Sequence, residues 1–159
     1  MTRTPMQSDL DTARGERKVA MDVRAACAAN FAAHQGDCSG FVKAVATQIG
    51  VPLQGNANNI VDSIRNGGNW QSLADGREAN GRAAAGDFVV GGMRGDEQLN
   101  HDVHGHVVVV VGDKPLAHGR YPAAWWGSLG GQPGRDETVN FAWTEADRDR
   151  VSYAVWSRV

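Results

Sequence analysis

His106-Val107-Val108-Val109-Val110-Val111 decides how this chain folds. Five consecutive valines are β-branched and stiff at χ1, so they suit a pleated sheet and disfavour a helix. A run with no polar alternation predicts a strand covered on both faces, hence a central one. After it, Gly112-Asp113-Lys114-Pro115 turns the chain. Before it lies a polar, glycine-containing connection over 91–105, and before that Phe88-Val89-Val90, a short apolar strand entered through Gly86-Asp87. Further strands are predicted at 121–128, 138–143 and 151–157; in the last, Val151, Tyr153 and Val155 alternate with Ser152, Ala154 and Trp156.

The N-terminal part is helical by periodicity. From about Thr12 to Ala33, apolar positions including Val19, Val23, Ala26, Cys27 and Phe31 recur at three- and four-residue steps. His34-Gln35-Gly36 breaks that pattern and Asp37 is a suitable N-cap. The next helix is predicted over Cys38–Ile49, with Phe41, Val42, Val45, Ala46 and Ile49 on its apolar face, closed by Gly50 and Pro52. Gly55-Asn56-Ala57-Asn58 reads as a loop, followed by a short helix with Ile60, Val61 and Ile64 inward. Between 69 and 86 no element is assigned: Trp70 and Leu73 read as anchors, and Glu78 to Gly86 is small and polar. Helices first and strands afterwards predict an α+β fold with a central antiparallel sheet. The helices are expected on one side of the sheet, with the Cys38 helix against the valine strand. Residues 1–11 read as a loose leader, and 159 residues as one domain.

Composition narrows the function. Apolar residues make up 42% and charged residues 21%, and the formal net charge is −2. No basic stripe is present to track phosphates, so neither nucleic acid nor an anionic membrane is an expected partner. No segment approaches the ~20 apolar residues of a membrane span. The first ten residues lack the apolar run of a signal peptide, so synthesis in the cytoplasm without a cleaved signal is expected. Two cysteines, Cys27 and Cys38, cannot make a disulfide scaffold.

Cys38 opens its helix, where the positive end of the helix dipole favours a thiolate and the unpaired N–H groups can hold an oxyanion. Ser39 and Gly40 leave room for a substrate backbone. Asp37-Cys38-Ser39-Gly40-Phe41 therefore reads as a nucleophile turn, or as a structural cysteine at a helix start. Cys27 lies mid-helix on the apolar stripe and reads as a small hydrophobe, with both thiols free. A nucleophile needs a base from another element, and His106, on the rigid start of the central strand, has the required placement. His101, His104 and His118 compete for that part. The spacing His101-Asp102-Val103-His104-Gly105-His106 also admits a zinc reading, although no second cluster accompanies it. No cofactor is called for.

Taken together, Asp37-Cys38-Ser39-Gly40-Phe41-Val42, Gly86-Asp87-Phe88-Val89 and Gly105-His106-Val107-Val108-Val109-Val110 resemble the NlpC-type branch of papain-like cell-wall peptidases. Three flanking segments are similar to the first family of type VI secretion amidase effectors: Gly55 to Asp62, Tyr121 to Ser128, and Asp147-Arg148-Asp149-Arg150 before an alternating strand. The resemblance spans roughly residues 37–157. It implies a papain-like amidase in which Cys38 and His106 are the catalytic pair and the Cys38 backbone N–H serves the oxyanion. It implies an antibacterial toxin delivered to a rival's periplasm, cutting the peptidoglycan stem at the γ-D-glutamyl–diaminopimelate bond. Its partners would be the secretion apparatus and a cognate immunity protein. Some relatives carry a cysteine where this chain has Trp126, so the group that orients His106 is left unassigned, with a backbone carbonyl, His118 or water as candidates. Trp125 and Trp126 read either as core or, for Trp126, as a substrate-binding wall. A housekeeping cell-wall peptidase, an acyl transferase using the same dyad and a non-catalytic binding module are the other readings.

Overall fold

Local signals set the helix boundaries. The computed structural model describes residues 23–157, so the leader and the start of the first helix lie outside the described residues. Helix α1 occupies 23–31, with Val23, Ala26 and Cys27 buried. Helix α2 is Cys38–Ile49: the Asp37 carboxylate accepts from the Gly40 N–H, and Gly50, at φ 86°, closes the far end in a conformation that favours glycine. Helix α3, Ala57–Arg65, opens with a reciprocal cap in which the Asn56 and Asn59 side chains each accept the other's backbone N–H. Helix α4, Gly76–Ala84, is capped by Asp75.

Six strands form one antiparallel sheet: β1 (Trp70–Leu73), β2 (Val89–Met93), β3 (His106–Val110), β4 (Ala123–Trp126), β5 (Gly134–Thr138) and β6 (Ser152–Trp156). Their spatial order is β1-β6-β2-β3-β4-β5. The valine strand is β3, paired on both sides, with Val110 opposite Val89 in β2 and Ala124 in β4. Val107, Val109 and Val111 enter a core cluster with α1, α2 and α3. Val108 and Val110 enter a second cluster with Ala79 and Ala83 of α4, Tyr121, Trp126, Trp143 and Tyr153. Covering both faces is what a continuous apolar strand requires.

The α+β antiparallel reading holds, with differences in detail. The helices are not all on one side, because α4 covers the other face. Its buried residues are Gly76, Ala79 and Ala83, too small to give a visible apolar stripe. Strand β1 was likewise not assigned from sequence. The strand expected at 138–143 is displaced: β5 ends at Thr138, and Val139–Phe141 is a 3₁₀ turn. Strand β5 is an edge strand of sequence Gly-Arg-Asp-Glu-Thr. Charge on an edge discourages pairing with another chain and hides the strand from an apolar-pattern search.

Candidate active site

Three chain segments converge around Cys38. One is the turn before α2, where the Asp37 N–H donates to the His34 carbonyl at 3.2 Å. The second is the end of β4, where the Ser128 N–H donates to the Gln35 carbonyl at 2.8 Å. Gly127 passes so close beneath the carbonyls of His34 and Asp37 that a Cβ there would collide with both. The third is the start of β3, where Gly105 packs against Asn58 and the Met93 carbonyl.

The loop over 94–105 is tied down from two directions. Asn58, in the first turn of α3, donates through Nδ2 to the Val103 carbonyl at 2.9 Å, and its Oδ1 accepts from the Gly95 N–H at 3.0 Å. Asp147, only 5% exposed, accepts from the Leu99 N–H at 2.9 Å and from Arg150 at 2.6 Å. Between them the Arg65 guanidinium donates to both oxygens of Glu97, at 2.7 and 2.9 Å. Sequence reasoning assigned Asn58 and Asp147 no individual role. Both fall within the flanking segments that carry the family resemblance, and that was the available signal.

Cys38 is 9% exposed, and its Sγ donates to the Gly105 carbonyl at 3.8 Å. The Val107 N–H donates to the same sulfur. The thiol thus rests on the main chain on either side of His106. The His106 ring packs edge-to-face on Trp143, with centroids 5.1 Å apart, and on Trp126 at 6.4 Å. Among the described residues, no hydrogen bond joins the Cys38 thiol to the imidazole. Cys38 belongs to the core cluster under the helices, whereas the two tryptophans beside His106 belong to the other cluster.

Electrostatics follow from burial. Desolvation pushes the Cys38 thiol up, against the pull of the Val107 N–H, and the Asp37 carboxylate adds to the rise. The N–H groups of Ser39 and Cys38 oppose it without prevailing. The thiolate expected from the helix dipole is therefore not the resting form. Burial also draws the His106 imidazole down to about 4. At rest the thiol and the imidazole are both neutral.

A cleft of about 200 Å³ opens on the His106 side, lined in part by His104, His106, Ser128, Leu129, Trp143 and Asp147, with the Cys38 sulfur behind its wall at Gly105. Trp143 is the aromatic on its wall. Trp126 is 1% exposed and donates from its indole to the Gln132 carbonyl, so it lies behind His106 rather than on the cleft surface. Trp125 is buried against Phe31 at 5.5 Å on the helical side. His101 and His104 are exposed in the preceding loop. His118 lies beyond the opposite end of β3, packed on Tyr121, and is out of reach as an orienting group. Cys27 is fully buried, unpaired and raised by desolvation, as a small core hydrophobe should be.

No family model matches the chain. Among characterised proteins it is similar to "Peptidoglycan amidase Tse1" of Pseudomonas aeruginosa, with 40% identity over 128 residues, covering 78% of this chain and 77% of that protein. Identity of this extent, carried by a chain with the α+β architecture just described, places the protein in the type VI secretion amidase effector family.

Proposed function

We propose that this protein is a peptidoglycan amidase that opens the stem peptide through Cys38 and His106. The single observation carrying this reading is the 40% identity to a peptidoglycan amidase across most of both chains. The convergence of the Cys38 turn and the start of β3 supports it. The bond is the γ-D-glutamyl–diaminopimelate amide. In the reaction, the thiol leaves the Gly105 carbonyl and turns toward His106, and the imidazole accepts its proton as Sγ bonds to the carbonyl carbon. Negative charge passes to the carbonyl oxygen, which the Cys38 N–H at the open helix end receives. His106 then returns the proton to the departing amine. Water, deprotonated by the same imidazole, cleaves the thioester and frees Cys38.

On this reading the enzyme is an antibacterial effector, passed by the secretion apparatus into the periplasm of a target cell and restrained at home by an immunity protein. Leu99, Val103, Leu129 and Phe141 are 68–82% exposed, and each lines the cleft or adjoins a residue that does. An apolar rim of this kind suits a protein plug. Mass spectrometry of muropeptides after digestion of purified sacculi tests the proposal. Wild type should release fragments ending at D-glutamate, and Cys38→Ala none; equal release by both ends the assignment of the nucleophile. One observation favours the rival binding module, namely that Cys38 is covered and bonded to Gly105 rather than to His106. That reading requires intact sacculi after prolonged incubation with wild-type protein.

A further inference from the structure

A larger cavity, about 420 Å³, lies away from the cleft on the α4 side of the sheet. Its floor is the first turn of α4. A Cβ on Gly76 would meet the Arg120 carbonyl and the Pro122 ring, and the Tyr153 hydroxyl lies 3.5 Å from that position. Tyr153 is 5% exposed, and among the described residues its hydroxyl has no hydrogen-bond partner. Burial holds its phenol above the usual range, so it stays a proton donor. Over the mouth, the Arg148 guanidinium lies on the Tyr121 ring, 4.9 Å from its centroid. Its Nε is sealed from solvent without an acceptor, and among the described residues it forms no ion pair. Arg77 and Arg120 complete a set of three guanidinium groups around the space.

Two carboxylates share the cavity, and both are engaged. Asp75 caps α4 through the Arg77 and Glu78 N–H groups, and Asp149 accepts from the Tyr121 hydroxyl at 2.6 Å. Three cations against two anions leave one positive charge. The Arg148 guanidinium and the Tyr153 hydroxyl, neither paired among the described residues, line the same space. A multiply charged anion would meet the two aspartates. A single planar carboxylate fits the charge and the forked donor.

We infer that this cavity is a second binding site, for a free carboxylate of the peptidoglycan stem, which holds the polymer while the cleft cuts a neighbouring stem. This rests on the proposed substrate. Asp147 lines the cleft, while Arg148 and Asp149 line the cavity, so a single turn serves both. Repeating stems on a polymer make two weak sites act together.

The test measures co-sedimentation of the Cys38→Ala protein with purified sacculi, alone and combined with Arg148→Gln or Tyr153→Phe. The second change removes one oxygen from a retained ring, so it keeps the test informative should the first disturb folding. Each is expected to weaken binding about five- to ten-fold. The loss should vanish on sacculi whose carboxylates have been converted to amides. In the active protein, Arg148→Gln should slow digestion of sacculi and leave cleavage of a soluble disaccharide tetrapeptide unchanged. Unaltered binding by both variants, each melting like the parent, overturns the second site. Competition by inorganic phosphate, with no effect of amidation, overturns the carboxylate assignment. Failure of wild type to cleave sacculi would instead refute the proposed function, since the binding arm is read on protein that cannot cut.

Discussion

Cys38 and His106 illustrate two effects that oppose each other at one helix end. The helix dipole favours a thiolate by about 0.3–1 kcal/mol, a modest term beside the desolvation of an almost covered sulfur. The outcome is a neutral pair, which predicts reactivity. Alkylation of Cys38 by iodoacetamide should rise steadily from pH 6 to 9, without the plateau at low pH that a thiolate–imidazolium pair would give; a plateau below pH 6 would refute the neutral pair. Stability should carry the mark of His106. An unfolded histidine takes its proton near 6.5, and this imidazole only near 4. The contribution is complete above about pH 6.5 and is lost progressively as pH falls towards 4, by up to ~3 kcal/mol. Thermal melts of His106→Gln should therefore vary less between pH 7 and 4 than those of wild type. Neither desolvation shift was readable from sequence, although the dipole was. Position in a helix is local information, whereas burial is decided by what packs on top.

Among the elements, the strong signals were intrinsic ones. Asp37, the apolar spacing of Phe41, Val42 and Val45, and Gly50 fixed α2 to the residue. Five valines fixed β3 and its central place. What escaped notice was held together by tertiary contact: α4 buries only glycine and alanine, and β5 gains its pairing from β4 rather than from its own side chains. The same distinction governs the end of β4. Gly127 reads as an ordinary turn residue, yet its missing side chain is what lets β4 support the Cys38 turn. Gly127→Ala should displace that turn and lower the rate of sacculus digestion at least ten-fold, with a stability loss of about 1–3 kcal/mol, read by enzyme assay and melt together. An unchanged rate would show that the contact does not position Cys38.

For the molecule as a unit, the segments that made the sequence resemble amidase effectors do mechanical work around the cleft. Asn58 secures one side of the 94–105 loop and Asp147 the other, while Tyr121 and Asp149 are joined at the neighbouring cavity. Removing a buried acceptor leaves several donors unsatisfied. Asp147→Ala should destabilise the fold by about 1–3 kcal/mol, and hydrogen exchange should quicken at Leu99 far more than in β3. Uniform acceleration throughout the sheet would count against a local brace. The candidate pair was legible because each member sits at the start of a strongly signalled element. Trp143 was not, because it was expected at the end of a strand over 138–143, and only the 3₁₀ turn that replaces that strand brings it to His106.

The sulfur's rest position on the Gly105 carbonyl has a further consequence. Peroxide attacks sulfur as its anion, and from solvent. A thiol kept protonated and under cover is a poor target on both counts. On the reading proposed above, the nucleophile would cross an oxidising compartment unspent and ionise only once a substrate is seated.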